Sequence, residues 1–384
     1  MPRILVVATV DVTLGQIVYP LLRSLQEAGY EVELACRVTG HVAGRRLRGL
    51  GIPIHDIAFS RNPLHPTNAK ALWQLRGLLR GGAFDVVDAH TPVAGWLTRL
   101  ACRLFSPGTV MIYSTHALPF ARGMSPLVYA AGLVLERVAG GWTDHMLVIN
   151  REDEAAALRH RLVSAERLHY TPGTGIDTQA FDPVRVDEAD VGRVRQELSL
   201  ATGDVLFLMI AEFRPIKRHA DVVRALAKVR DDRVHVAFAG IGPLLGQVQK
   251  QAAGIGLQRR AHFLGYRHDV PALIRASRAV LSASTAEGMP RCVLESLALE
   301  VPAIGTTVRG TSELLQGGCG ILVPLGDAQA LADAMHWMAA HPGECAAMGR
   351  VGRQKVLGGF DLRNVLRTQM GVFREALNQA EQAR

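Results

Sequence analysis

The chain has 384 residues and a formal charge of +8, from 43 Lys and Arg against 35 Asp and Glu. With 48% apolar and 20% charged residues it can bury a core, which excludes a disordered chain, and its length exceeds one comfortable core, so two domains are expected. Its five cysteines are odd in number, far apart and never spaced Cys-x-x-Cys, which argues against a disulfide framework or a cysteine zinc site and for a cytoplasmic protein.

No apolar run is long enough to span a bilayer; the longest, such as 130–135 and 205–210, have the size of a strand or a core helix. The start, Met1-Pro2-Arg3 and then five apolar residues, is followed by Asp11 and by no small-residue cleavage site, so it reads as a buried first strand and not as a secretion signal. Apolar runs predict further strands at 31–36, 84–90, 109–115 and 145–149. Helices are predicted between them at 16–28, 67–79, 92–104 and 127–139. The alternation breaks near Phe181-Asp182-Pro183 and restarts with strands at 205–211, 234–239, 261–264, 279–283, 303–306 and 320–323. Helices at 218–229, 244–253, 291–299 and 328–339 accompany these, and 361–383 reads as one long polar helix. Strand-helix alternation of this kind is the signature of doubly wound α/β domains, here 1–182 and 183–360, with a ligand cleft expected between their sheet ends.

The most informative stretch is Glu287-Gly288-Met289-Pro290-Arg291-Cys292-Val293-Leu294-Glu295. Pro290 suits the first helical position, and the amides near Cys292–Leu294 are then expected to point outward as phosphate donors. Glu295 falls beside an apolar face, where a carboxylate needs partners such as a ribose diol. Gly288 lets backbone approach a ligand. After the strand 205–211 come Arg214, Lys217, Arg218 and His219, cations suited to a diphosphate leaving group, with Arg218 the expected bystander. Gly240 and Gly242 follow a strand and open a helix, as a nucleotide approach would need, and Gly15 is placed in the first strand-to-helix turn. His116 ends another strand; a lone histidine there is more often structural.

Together these stretches resemble the family-4 retaining glycosyltransferases with the GT-B fold, and among them the builders of capsular and exopolysaccharides. The likeness also runs through Tyr19-Pro20-Leu21-Leu22, Ala89-His90-Thr91-Pro92, Ser114-Thr115-His116, Ile149-Asn150-Arg151-Glu152-Asp153 and Pro172-Gly173-Thr174-Gly175-Ile176-Asp177. It implies two Rossmann-like domains facing across a cleft, the first binding acceptor, the second binding donor, with the helix 361–384 crossing back to the first. Glu295 would hold the donor ribose and Glu287 would sit by the transferred sugar. Gly288 through Leu294 would offer backbone, Lys217 and Arg214 would neutralise diphosphate, and His116 would contact the sugar. The departures are Glu212, where many members carry Arg, and a single glycine, Gly15, in the first loop.

The implied donor is a nucleoside diphosphate sugar, by resemblance UDP-linked, and the implied acceptor a saccharide, free or on a polyprenyl diphosphate. No cofactor or metal is implied, since no Asp-x-Asp occurs. Trp73, Arg76 and Arg80 on one helix suggest peripheral contact with an anionic membrane on its cytoplasmic face. A nucleotide-sugar 2-epimerase and a non-catalytic nucleotide-sugar binder are the alternatives. Nucleic-acid binding is disfavoured, because the basic residues lack aromatic interleaving.

Overall fold

The protein is described by a computed structural model covering residues 1–40, 42–121 and 124–382. It divides into two units, residues 1–174 together with the chain from 363 onward, and residues 175–362. The break thus falls at Thr174/Gly175, eight residues before the position suggested by the polar stretch. Residues 383 and 384 of the expected terminal helix lie outside the described residues.

The first unit is a parallel sheet of seven strands: β1 (Arg3–Val10), β2 (Glu31–Arg37), β3 (Ile54–Asp56), β4 (Val86–His90), β5 (Val110–Thr115), β6 (His145–Val148) and β7 (Leu168–Tyr170). Their order is β3-β2-β1-β4-β5-β6-β7. Parallel strands are covered on both faces, so their sequences are apolar at successive positions. In β1, Ile4 and Val6 enter one core with Leu22 and Leu34, while Leu5 and Val7 enter the opposite core with Leu75 and Leu79. The helix Leu362–Gln382 adds Val372, Phe373, Ala376 and Leu377 to the first of these cores.

The second unit repeats the plan with β8 (Val205–Ile210), β9 (Val234–Ala239), β10 (Ala261–Gly265), β11 (Ala279–Ser282), β12 (Ala303–Thr306) and β13 (Gly320–Val323), in the order β10-β9-β8-β11-β12-β13. In each sheet the first strand lies inside, and the chain winds first to one side and then to the other. The loops leaving β8 and β11, and those leaving β1 and β4, therefore diverge and open a crevice at the carboxyl edge of their own sheet.

The first strand-to-helix connection differs from expectation. Asp11 begins helical structure directly after Val10, and the chain runs on through a π-helical stretch, Leu14–Val18, into Tyr19–Glu27. Buried Asp11 accepts from the Thr39 amide at 2.9 Å and the Thr39 hydroxyl at 2.6 Å. Gly15 consequently lies in a buried helical turn and not in a loop. The short edge strands β3 and β7 carry too little pattern to show in sequence.

Another departure is the helix Pro126–Gly140. Its apolar sequence suggests a core element, yet Leu127, Val128, Val134, Leu135 and Val138 are all exposed. Its buried face is held instead by an ion pair. Glu136 and Arg99 are each about 1% exposed and meet at 2.9 Å. Trp96 Nε1 donates to Glu136 at 2.7 Å, the Tyr113 hydroxyl donates at 3.2 Å, and the Arg99 guanidinium stacks on the Tyr113 ring at 3.8 Å. Removing one member of such a pair strands the other charge in the interior. Glu136→Ala is expected to cost about 3–5 kcal/mol in urea unfolding, and Glu136→Gln clearly less; a loss below about 1 kcal/mol for the alanine variant would contradict this account.

Candidate functional site

In the second unit, the chain leaves β8 through Glu212 and Phe213 into a single turn, Pro215–Lys217. It leaves β11, the neighbour of β8 across the switch point, into the loop carrying Glu287. The Thr285 amide donates to the Ile216 carbonyl at 2.9 Å and ties the two loops together. Lys217 Nζ then lies 2.5 Å from Glu287 Oε1. Ser284 Oγ donates to the same oxygen at 2.6 Å, and Thr306 Oγ1 on β12 steadies the Ser284 carbonyl at 2.6 Å. Burial lowers the Lys217 pKa, but Glu287, with smaller contributions from Cys292 and Glu212, outweighs it and leaves the ammonium more firmly protonated than usual.

Four residues beyond Glu287, the helix Arg291–Ala298 begins. Pro290 is its N-cap, one residue earlier than expected, and its carbonyl accepts the amides of Val293 at 3.1 Å and Leu294 at 3.2 Å. Those two amides are therefore spent inside the helix start, and their side chains are fully buried in the core. This corrects the expectation that they point outward: the amides that begin the helix ahead of them, Arg291 and Cys292, are the ones a helix start leaves without an intrahelical carbonyl. Met289 and Cys292 pack partly against that core. Burial pushes the Cys292 thiol up to about 12 despite the pull of Lys217, so it is no nucleophile. Its pKa also responds to Glu287 and Glu295, which places all four groups within electrostatic reach of one another.

Glu295 is buried on the first turns of this helix, and burial raises its pKa against the opposing Arg291, whose Nε donates to Glu295 Oε1 at 2.9 Å. Gly288 sits under the helix Arg309–Leu315: a Cβ on Gly310 would lie 2.1 Å from the Gly288 carbonyl oxygen. Thr306 and Gly310 carry no signal in sequence because each acts on a segment about twenty residues away, and Ser284 carries none because a serine near a loop glutamate is common.

Other expected residues are placed differently. Arg214 is partly exposed and lies 3.8 Å from Glu212, and Arg218 turns to Asp221 at the start of the helix His219–Lys228. Buried His219 stacks on Phe213 at 3.9 Å, and burial lowers its pKa to about 4. Gly240 and Gly242 have φ of 154° and 155°, and a Cβ on them would lie 2.0 Å from the Ala211 carbonyl and 2.6 Å from the Phe213 amide nitrogen. Their glycine character thus lets the β9 exit pack on the β8 exit, which is a structural reason for both.

In the first unit, His116 follows β5 and takes part in a buried series. Ser114 Oγ donates to Asp88 Oδ1 at 2.8 Å, Asp88 Oδ2 lies 3.0 Å from His90 Nε2, and His90 Nδ1 lies 3.1 Å from His116 Nε2. The contact with His90 engages His116 Nε2 and leaves His116 Nδ1 buried without a hydrogen-bond partner of its own. Burial, with His90 adding to it, holds the His116 pKa near 3, so the ring is neutral and no general acid. Asn150 caps the helix Arg151–Arg159, and Asp153 Oδ2 accepts from the Leu118 amide at 3.1 Å, fixing the loop beyond His116. Thr91, at the exit of β4, has φ 68° and ψ 148°, a costly backbone for threonine, and its hydroxyl meets Thr9 at 2.6 Å.

A model of the Glycosyl transferase 4-like domain matches residues 13–174, and one of Glycosyl transferases group 1 matches residues 204–341. The chain is 29% identical to the putative glycosyltransferase EpsD of Bacillus subtilis, over 94% of each chain. It is 24% identical to the UDP-Gal:alpha-D-GlcNAc-diphosphoundecaprenol alpha-1,3-galactosyltransferase of Escherichia coli, over 87% of this chain and 86% of that one. Anabaena Alr3699/HepE, solved with UDP and glucose, superposes with a TM-score of 0.79 at 18% identity, covering 98% of this chain and 100% of its own.

His116 and His219 have an ordinary pKa of 6.5 when unfolded and lower values when folded. The unfolded chain therefore binds more protons in that window, so their contribution is intact above about pH 6.5 and is lost as pH falls toward 4. The thermal midpoint is expected to fall between pH 7 and pH 4.5, and to fall less in His219→Phe, which keeps the stack on Phe213. Identical profiles for variant and wild type would refute the assignment.

Proposed function

The chain belongs to the family-4 glycosyltransferases of the GT-B fold, and from that membership we propose that it moves a glycosyl residue, with retention, from a uridine diphosphate sugar to a saccharide on a polyprenyl diphosphate in cell-surface polysaccharide assembly. The observation that carries the site assignment is the meeting of Lys217 and Glu287 beside a helix start that bears Glu295. The base and the lipid carrier follow the relatives: HepE was solved with UDP, and the Escherichia coli enzyme is named for UDP-Gal and a diphosphoundecaprenol acceptor.

In this reading the diphosphate lies against Lys217, Arg214 and the first amides of Arg291–Ala298. Positive charge placed where the leaving group gains negative charge lowers the barrier to C–O cleavage. Glu295 accepts from the two ribose hydroxyls, and Arg291 holds its carboxylate in place. Glu287, already engaged by Lys217 and Ser284, orients the sugar. Gly288 and Met289 offer backbone to it. His116 serves as a neutral acceptor for a sugar hydroxyl, positioned by His90 and Asp88. Retention follows if the acceptor attacks on the face the diphosphate vacates, its proton passing to a departing phosphate oxygen.

In this reading a lipid-linked acceptor brings the enzyme to the cytoplasmic face of a membrane. Trp73 is exposed, but Arg76 and Arg80 lie over the Phe105 ring, and Leu75 and Leu79 face the core. The helix Pro126–Gly140 is better suited, because Leu127, Val134 and Val138 lie on one exposed stripe beside Arg137. Among the described residues no helix is long and apolar enough to cross a membrane.

Glu295→Ala is expected to weaken UDP-sugar binding about tenfold or more, whereas Lys217→Met should lower kcat roughly 100-fold with a smaller change in KM. Wild-type kinetics in both variants would remove the assignment. Separately, the protein is expected to float with anionic vesicles at low salt, and Leu127→Asp combined with Val134→Asp to abolish flotation; equal flotation of both proteins would exclude that helix as the contact.

A further inference from the structure

Among the described residues, three histidine pairs bridge neighbouring strands or their exits with similar separations of 3.0 to 3.1 Å. In two of them a carboxylate sits on the far nitrogen of one ring, so the groups form a line: Asp88–His90–His116 and Asp204–His235–His262. The third pair differs. His145 opens β6 and His169 lies in β7, with His145 Nδ1 and His169 Nε2 3.0 Å apart. Here the carboxylate, from Glu375 on the helix Leu362–Gln382, converges on the space between the rings: one donor atom from each residue lies within 4.8 Å of the other two. Gln379, one helical turn beyond Glu375, meets the other nitrogen of His145, with Oε1 3.2 Å from Nε2.

We propose that His145, His169 and Glu375 form a binding site for a divalent transition metal of the zinc class, which clasps the C-terminal helix to the β6–β7 edge of the first sheet. Two imidazoles and one carboxylate are a donor set that suits zinc, cobalt or nickel and leaves a fourth position for water, whereas magnesium and calcium prefer an all-oxygen set. The ring nitrogens need little movement, since two nitrogens on tetrahedral zinc at about 2.0–2.1 Å stand about 3.3 Å apart. Gln379 supplies the outer support: its oxygen accepts the His145 Nε2 proton and so leaves Nδ1 as a lone pair aimed at the metal. His169 needs only to carry its proton on Nδ1 in place of Nε2, a tautomer change of a neutral ring.

The site is separate from the one carrying His116. His145 is at the amino end of β6 and pairs with Ile112, while His116 lies beyond Thr115 at the carboxyl end of β5, about 10 Å or more along the strands. A metal here joins β6, β7 and the terminal helix, segments that span most of the chain. Its role is to hold the helix in place and involves no step in sugar transfer.

The test uses the full-length chain without an affinity tag, stripped with EDTA and titrated with zinc by calorimetry. One zinc per chain is expected, with a rise in thermal midpoint. Affinity should drop at least about tenfold in His169→Gln and in Glu375→Gln, with metal-free midpoints and circular dichroism unchanged. Equal affinity in the wild type and in both variants, or no saturable binding, overturns the proposal. If a variant does not fold, the wild type loaded with cobalt decides: a tetrahedral visible spectrum that zinc displaces is required, and an octahedral one refutes the site. Transfer activity is not a readout, so failure here leaves the donor-site assignment untouched.

Discussion

Lys217 and Glu287 meet because β8 and β11 are hydrogen-bonded neighbours whose exit loops turn to opposite sides of the sheet. A parallel sheet sends every strand exit to the same edge, and reversal of the winding direction keeps any helix from covering the gap between those two exits. The ammonium and the carboxylate are thus held at the switch point of the second sheet, where α/β sheets bind ligands. Ser284 and Thr306 then fix the acid, and the Thr285 amide locks the two loops in register. The arrangement has a cost in desolvation, which the mutual attraction of the pair offsets, as the raised Lys217 pKa indicates.

The same topology explains why so many polar groups can be buried. Asp88, His90 and Ser114 lie in the interior of the first unit, yet each finds a neighbour on the adjacent strand because parallel register sets residues of like position side by side. Asp88 and His90 lie two residues apart on β4, and His90 pairs with Ser114 in the ladder, so Ser114 on β5 and His116 just beyond it reach them from the neighbouring strand. Buried charge without such partners would be costly. Arg99 and Glu136 apply this to helices, and their pairing frees the opposite face of Pro126–Gly140 from any packing role.

Glycine illustrates how one residue type can be read in two ways. Gly240 and Gly242 follow a strand and precede a helix, a pattern that invites a phosphate reading, but a neighbouring loop fills the space a side chain would need. Gly310, which lacks such a pattern, is the one pressed against Gly288 in the candidate site. Sequence spacing cannot separate these cases, since the excluding atoms belong to segments dozens of residues away.

Two α/β halves, their strand sequence and the helix that begins after Pro290 were legible from the chain alone, because burial on both faces leaves unbroken apolar runs and because a proline before an apolar helix marks its start. Which strands adjoin was not legible, and nearly everything chemical depends on that. Strand order brought Lys217 to Glu287, made His116 one member of a series with His90 and Asp88, and set His145 beside His169 and a helix some two hundred residues later. It also turned an apolar helix outward and moved the available amides one residue toward Arg291. Local sequence dictates what each segment can become, but contacts between distant segments are decided by packing, where desolvation and geometry act on the whole unit at once.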